Sequence, residues 1–382
     1  MKIALVSPYD WTVPGGVNSH CAHLRNQFSA RGHQVKIVAP ASRPVSDPDV
    51  ITIGKRPVSL PVSGSLARIS LSLTLGPPVR KLLAQERFDI VHVHEPFMPV
   101  LPIHFLRYSD TVNVGTFHAT RDTSHFFYTW GKRHVRRWFR QLDGKIAVSA
   151  AAARFVEEYF PGYYNIIPNG VDIERFAGAE PLPEYQDGKL NILFVGRPER
   201  RKGIDHLLPA YARVQAKRSD TRLIVVGAGK FDRYKRMARS LKLRNVEFRG
   251  YVSHEELPRF HRSAHVFCAP NTGFESQGIV LLEAMAAGLP LVASNIEGFA
   301  AVLTHSVEGL LVLPGDEAGL GDALLELLEA PETRARMAER GRRRVEEFAW
   351  DRVAQQILSY YERLLHERAL GGDREREPAR TG

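Results

Sequence analysis

The segment Gly196-Arg197-Pro198-Glu199-Arg200-Arg201-Lys202-Gly203 places four cations within six residues, directly after the apolar run Asn191–Val195. Cations gathered where a buried strand ends suit a diphosphate, with Arg197 and Lys202 flanking the turn as its contacts; a solvated basic loop is the plainer alternative. A second group, Phe274 to Ala284, carries Glu275 and Glu283 eight residues apart with Ser-Gln-Gly between them. That spacing reads as a loop acid at a helix entrance and a second acid two turns inside the helix. Carboxylates bind sugar hydroxyls well, and an acid in so apolar a helix needs a partner. The amides around Gly278 and Ile279 open the same helix and suit a phosphate. Gly115-Thr116-Phe117-His118 brings a histidine to the tip of another apolar run, where it faces ligands in open α/β sheets. Pro14-Gly15-Gly16-Val17 follows the first apolar run and lets backbone amides, Gly16 above all, approach an anion closely.

Other patterns carry less. His92 and His94 share a face at period two but have only Glu95 nearby, and Asp47-Pro48-Asp49 lies in a proline-rich loop. Neither is expected to hold a metal. Gly227-Ala228-Gly229-Lys230 lacks the frame of a phosphate-binding P-loop. Between Phe126 and Leu142 there is no acid. On a helix Arg133, Arg136, Arg137 and Arg140 form one stripe, and Trp138 joins Val135, Phe139 and Leu142 on another side. This is the composition of a helix that adsorbs to anionic lipid, and equally of a core-packed helix with a cationic face.

The elements that must position these groups are short apolar runs separated by amphipathic stretches of helix length. In the first half they are Ile3–Val6, Val35–Ala39, Ile90–His94, Val112–Phe117 and Lys145–Val148. In the second they are Asn191–Val195, Arg222–Val226, Val246–Arg249, His265–Ala269 and Leu291–Ala293. Buried parallel strands with crossover helices have this signature, and two such series predict two doubly wound α/β domains. The domains are expected at 1–172 and 190–350, joined by a polar, proline-rich linker at 173–189. An amphipathic C-terminal helix at 351–370 could lie across either domain, and a charged tail at 371–382 reads as disordered.

Composition agrees with this plan. The 382 residues are 44% hydrophobic and 25% charged, with a net charge of +10 that favours anionic partners. Two cysteines far apart make a disulfide framework or thiolate zinc site improbable and fit a reducing compartment. The start is too polar for a signal-peptide core, and the longest apolar stretch, Gly278 to Ser294, contains Glu283 and Pro290. A soluble or peripheral protein is expected, cytoplasmic and, if the basic stretch meets lipid, on the inner face of the membrane.

The Gly-Arg-x(4)-Lys-Gly turn, the Glu275-x(7)-Glu283 segment and Asn169-Gly170-Val171-Asp172 together resemble the family 4 retaining glycosyltransferases of the GT-B fold, in order and across nearly the whole chain. Pro8-Tyr9, Gly15-Gly16-Val17, His94-Glu95-Pro96, Thr116-Phe117-His118 and Glu283-Ala284-Met285-Ala286 resemble, within that family, bacterial phosphatidylinositol mannosyltransferases. The resemblance implies two Rossmann-like domains facing a central cleft and a nucleotide-sugar donor, GDP-mannose. No metal or other cofactor is required. It implies that Arg197 and Lys202 grip the diphosphate, that Glu275 holds the sugar and Glu283 the ribose, and that Gly16 and His118 meet the phosphate and the transferred sugar. Tyr9, Asn18 and Arg68 fall where such enzymes meet the inositol phosphate head group, although Asn18 replaces the usual Gln and Gln277 stands where Phe is common. Transfer would then proceed with retention, by front-face attack assisted by the donor phosphate.

Rival readings are a UDP-sugar-dependent transferase acting on diacylglycerol or a soluble polyol phosphate, and a non-catalytic nucleotide-binding protein. A nicotinamide dehydrogenase needs GxGxxG with a downstream acid after an early strand, and neither half shows that pair. Nucleic acid has no supporting motif.

Overall fold

The computed structural model describes residues 1–54, 57–62, 65–119 and 135–370. The chain divides into two compact units. One comprises Met1–Val148, Ala152–Ile167 and the chain from Trp350 onward; the other comprises Ser149–Ala151 and Pro168–Ala349.

The first unit is built on a seven-stranded parallel sheet. Its strands are β1 (Lys2–Val6), β2 (Gln34–Ala39), β3 (Val50–Thr52), β6 (Ile90–His94), β7 (Val112–Phe117), β8 (Gly144–Ala147) and β9 (Asn165–Ile166), in the order β3-β2-β1-β6-β7-β8-β9. An antiparallel hairpin, β4 (Val58–Val62) and β5 (Ser65–Ile69), stands apart from it. Successive residues of β1 are fully buried because both faces of the sheet are covered, which explains why the strand is apolar without alternation. Ala4, Val6, Val91, Val93 and Phe117 face one layer with Val79, Phe105 and Phe155. Ile3, Leu5, Ile90, Val112 and Val114 face the other, with Leu24 and Phe28 of the helix Gly16–Ala30. The helix Trp350–Leu370 completes this second layer. Trp350, Val353, Ala354, Ile357, Leu358, Tyr361 and Leu364 recur at helical spacing and are all buried.

The second unit is a six-stranded parallel sheet of β10 (Leu190–Val195), β11 (Thr221–Val226), β12 (Val246–Gly250), β13 (Val266–Ala269), β14 (Leu291–Ser294) and β15 (Gly309–Val312). Its order is β12-β11-β10-β13-β14-β15. Alternate residues again divide into two layers. Ile192, Phe194, Leu223 and Val225 meet Leu207, Tyr211 and Leu324, while Leu193, Ile224, Phe267 and Ala269 meet Leu281, Leu282 and Met285.

The stretch 173–189, read from its polar composition as a linker, is packed into this unit. Asp172 caps the short helix Ile173–Ala177 by accepting from the Arg175 amide at 3.2 Å. Phe176, Leu182 and Tyr185 are buried in the core, and the Tyr185 hydroxyl donates to Glu247 at 2.8 Å. Three apolar anchors outweigh the polar residues between them. At the far end, Val171 N donates to Phe348 O at 2.9 Å, so the segments entering and leaving the unit run side by side. The tail 371–382 lies outside the described residues.

Both sheets reverse direction of growth once, between β1 and β6 and between β10 and β13. Loops leaving the carboxyl ends of the two strands at such a reversal diverge and leave room for a ligand. Tyr9 and Glu95 follow β1 and β6 on such loops, as Arg197, Lys202 and Glu275 follow β10 and β13, while His118 follows the neighbouring strand β7.

Truncating Ile357 to Ala opens a cavity under the sheet of the first unit and is expected to lower stability by about 2–5 kcal/mol. Urea unfolding monitored by tryptophan fluorescence would measure it; a change within error would mean the C-terminal helix is not part of that core.

Candidate functional site

In the second unit the loops after β10 and β13 bring the two predicted motifs together. Arg200–Lys202 form a single helical turn, and Gly203 follows in the left-handed region at φ 75°. A Cβ at Gly203 would lie 1.8 Å from the carbonyl oxygen of Pro270, so only glycine lets the basic turn pass so close to the loop after β13. Across that contact, Lys202 Nζ donates to Glu275 Oε2 at 2.6 Å, and Asn271 Nδ2 donates to the same oxygen at 2.9 Å. Arg201 lies 3.8 Å from Glu275 and pairs with Glu199 at 2.9 Å, while Arg197 reaches the other oxygen of Glu199 at 3.1 Å. The result is a ladder of alternating charge, Arg197-Glu199-Arg201-Glu275-Lys202. Its outermost member is Arg197, whose side chain is 50% exposed, whereas Lys202 is 13% exposed. Glu199, Arg201 and Asn271 were not among the residues singled out from sequence. Glu199 and Arg201 lie inside the basic motif, but their pairing depends on a turn that spacing alone does not specify.

Gly278 precedes the helix Ile279–Ala286 with φ 76°, and a Cβ there would meet Phe299 at 2.6 Å. The helix has no side-chain cap, so its first amides, at Gly278 and Ile279, keep their capacity to bind an anion. Glu283 lies in this helix and keeps a partly exposed edge. Burial pushes its carboxyl up to about 7, against the opposing pull of the Arg175 guanidinium. Gln277 serves the frame. Its Oε1 accepts from the amide and the side chain of Asn169 at 2.6 and 2.8 Å, and its Nε2 donates to Asn169 O at 3.2 Å. The departure at Gln277 is thus matched by a polar partner inside the unit.

In the first unit the loop after β1 runs through Tyr9 and Asp10 to the helix Gly16–Ala30. Gly15 and Gly16 are exposed, and an added Cβ at either meets nothing within 4 Å. The protein's own packing therefore does not demand glycine there. Asn18 is buried and holds the loop. It accepts from Ser7 Oγ at 2.7 Å and donates to the carbonyls of Asp10 and Val13 at 2.9 and 3.3 Å. With its amide occupied in this way, Asn18 positions Tyr9 and Asp10 rather than offering a free contact. Asp10 accepts from Thr12 N, Thr12 Oγ1 and Ser42 N at 3.1, 2.8 and 3.0 Å. Those bonds outweigh its burial and hold its carboxyl below the usual range. Arg68 Nε stands 3.6 Å from the second oxygen of Asp10, and Tyr9 bridges to Ile69 next to it. Burial, and then the charge of Glu95, raise the Tyr9 phenol. Tyr9 and Arg68 are accordingly brought together around Asp10, which sequence reasoning did not select.

His118 follows β7, and its backbone amide donates to Glu95 Oε1 at 2.8 Å. Glu95, at φ 49° after β6, has its carboxyl pushed up to about 7 by burial, opposed by the amides of His118 and Ala119. His92 and His94 stack at 4.4 Å, as their shared face predicts, but they go to different partners. His92 Nδ1 lies 2.5 Å from the Tyr361 hydroxyl and Nε2 lies 2.6 Å from Thr116 Oγ1, which makes it a strut between the C-terminal helix and the sheet. Burial holds it down at about 3, hence neutral. His94 Nδ1 instead lies 3.0 Å from His118 Nε2.

The remaining expectations fall as follows. Asp47 and Asp49 pair with Arg25 and Lys36, the latter at 2.7 Å, and so staple the edge of the sheet. Gly227 N donates to Gly250 O at 2.8 Å within the fold. Cys21 and Cys268 are free and buried. Arg133 lies outside the described residues. Arg136, Arg137 and Arg140 are exposed, but Trp138 is not available to a lipid surface: it is 7% exposed, in the core with Leu142 and Phe160. The Arg137 guanidinium covers its ring at 4.3 Å. The stripe that carries Trp138 is apolar because it packs inward. Among the described residues, no helix is long and apolar enough to cross a membrane.

Comparison with known proteins agrees with this arrangement over the length of the chain. The family described as glycosyl transferases group 1 matches residues 182–344, and Glycosyltransferase Family 4 matches residues 14–175. The phosphatidyl-myo-inositol mannosyltransferase of Mycobacterium leprae (strain TN) is 39% identical over 363 residues, 95% of this chain and 96% of that protein. A glycogen synthase of Mycobacterium tuberculosis (strain CDC 1551 / Oshkosh) is 30% identical, with 94% of each chain covered. Among solved structures, the sucrose-phosphate synthase of Thermosynechococcus elongatus superposes with a TM-score of 0.77 at 22% identity, covering 96% of this chain and 100% of that one. Two doubly wound sheets with ligand-competent loops at both reversals, both halves matched, and relatedness from end to end lead to one conclusion: the chain is a glycosyltransferase of the GT-B fold and belongs to family 4.

Proposed function

We propose that this glycosyltransferase moves mannose from GDP-mannose to the inositol head group of phosphatidylinositol with retention of configuration. The observation that carries the reading is the charge ladder at the β10/β13 reversal, which supplies cations and a sugar-binding carboxylate from one rigid contact. The end-to-end relationship to a phosphatidyl-myo-inositol mannosyltransferase supports the choice of sugar and acceptor.

In this reading the donor diphosphate replaces carboxylate partners of Arg197 and Lys202. Both cations are already oriented by Glu199 and Glu275, and Lys202 is largely desolvated. As the bond to the anomeric carbon breaks, negative charge grows on the leaving phosphate, and preoriented cations stabilise it without reorganising. Glu275, still held by Asn271, accepts hydroxyls of the sugar, and Glu283 accepts those of the ribose. The amides at Gly278 and Ile279 add a positive helix end to the phosphate. On the first unit, Gly16 serves the donor phosphate, His118 the transferred sugar, and Tyr9 and Arg68 the inositol phosphate. Retention without a covalent enzyme intermediate follows if the departing phosphate takes the proton of the incoming hydroxyl on the same face. No metal enters this account. The enzyme would act from the cytoplasmic side as a peripheral protein, with the exposed Arg136, Arg137 and Arg140 against anionic phospholipid.

The relationship to a glycogen synthase favours a second reading, transfer to a soluble acceptor. Purified protein offered GDP-mannose and UDP-sugars, with phosphatidylinositol vesicles or soluble acceptors, separates the two. A mannosyl lipid formed from GDP-mannose, α-configured by NMR, is expected; turnover only with a UDP-sugar or only with soluble acceptors overturns the proposal.

Lys202→Ala and Glu275→Ala are each expected to lower kcat by about 10²–10³-fold in a folded protein. Circular dichroism checks the fold, and a kcat near that of the wild type removes these residues from the site. The raised carboxyl of Glu283 gives a further test. Because the folded state favours the protonated form, the stability it contributes is full below the ordinary value of 4.5 and is lost as pH rises through about 7. Glu283→Gln removes that dependence, so the melting temperature of the variant should gain on the wild type as pH is raised across this window. Parallel melting curves would place Glu283 in contact with solvent instead.

A further inference from the structure

The rings of His20, His94 and His118 converge inside the first unit. His94 and His118 stand at the ends of the adjacent strands β6 and β7, and His20 comes from the second turn of the helix Gly16–Ala30. One nitrogen from each lies within 4.8 Å of the others, and His94 Nδ1 and His118 Nε2 are 3.0 Å apart. Two nitrogens bound at about 2.0–2.1 Å to one tetrahedral ion are separated by roughly 3.3 Å, so this pair is already near ligating distance. His20 meets both partners edge to face, with centroids 5.2 and 4.9 Å away. A modest rotation of its ring brings the third nitrogen in.

His94 is fully buried, and its Nε2 has no hydrogen-bond partner among the described residues. A polar atom left so in the interior costs free energy, so the ring is held there by the cluster it packs in rather than by a bond at that nitrogen. The surroundings also fix the rings, as outer groups do in metal sites. His92 stacks on His94 at 4.4 Å, Trp350 packs edge-on against His20 at 5.1 Å, and Glu95 accepts from the His118 amide at 2.8 Å.

We propose that His20, His94 and His118 form a three-nitrogen site for a divalent cation of the zinc class, with a fourth position left for water. Imidazole donors without a carboxylate select zinc, copper, nickel or cobalt over magnesium and calcium. The site stands on the geometry of the first unit alone and does not depend on the transfer reading. An ion held there occupies a nitrogen of His118 and withdraws it from any other ligand.

The test uses the full chain, stripped with a chelator and titrated with Co2+. One equivalent is expected to bind with the visible bands of nitrogen-coordinated cobalt, to be displaced by Zn2+, and to raise the melting temperature. His20→Asn and His118→Gln should each weaken binding by about tenfold or more while keeping the wild-type circular dichroism. If a variant fails to fold, the wild type still decides: one equivalent of Zn2+ should protect His118 from diethylpyrocarbonate, read by peptide mass spectrometry. Absence of a stoichiometric site, cobalt bands unchanged in both folded variants, or unprotected His118 at saturating Zn2+ overturns the proposal.

Discussion

A parallel sheet must send its chain across a helical layer between neighbouring strands, and when the order of growth reverses, two consecutive loops leave in opposite directions. That constraint governs both units. In the second it lies between β10 and β13, and everything distinctive about the site descends from it. The loop after β10 carries the cations and the loop after β13 carries Glu275. Gly203 permits their contact, because any side chain there would collide with Pro270 O. Without that approach Lys202 and Glu275 would not meet at 2.6 Å, and the ladder would fall apart into separate exposed charges.

The ladder is itself a way of keeping charge ready. Exposed ion pairs contribute little to stability, but Lys202, Glu275, Glu199 and Arg201 are each less than a fifth exposed, so leaving any one unpaired carries a desolvation cost. Each carboxylate accordingly holds a cation in position. The first unit shows the same economy with hydrogen bonds. One oxygen of Asp10 takes three hydrogen bonds from Thr12 and Ser42, Asn18 is held by Ser7 and two carbonyls, and together they fix the course of the loop that bears Tyr9.

Lys202→Ala therefore tests more than one contact, since it also strands Glu275. How far such a site can be read beforehand depends on range. Ten strands lie within a residue or two of their apolar runs, because burial on both faces writes a continuous signal. β3, β9, β15 and the β4–β5 hairpin leave no such signal: they are short or lie at sheet edges or outside the sheets, and a proline, Pro61, stands within the sequence of β4. The motifs around Lys202 and Glu275 were legible separately, but the bond between them spans 73 residues of sequence and depends on strand order. Local spacing was incomplete in two places. Period two rightly put His92 and His94 on one face, but could not show that His94 also meets His118 on the next strand; of the two readings of the amphipathic stretch, the stripe with Trp138 follows the core-packed one. Asp10 and Glu199 carried no signal beyond their motifs, since an acid beside a turn is ordinary until its partners are known.

The membership of the helix Trp350–Leu370 in the first unit has a consequence for how the protein is made. The second unit is an insertion, complete once residue 349 has been synthesised, whereas the first gains the helix that completes its second core layer, beside Gly16–Ala30, only after that. Ile3, Leu5, Ile90 and Val112 thus wait with one face covered only in part, by Leu24 and Phe28, while roughly two hundred further residues emerge. During that interval of tens of seconds at ribosomal rates, the later-born unit can fold first. The adjoining of Val171 and Phe348 is what returns the chain to the first unit to complete that layer.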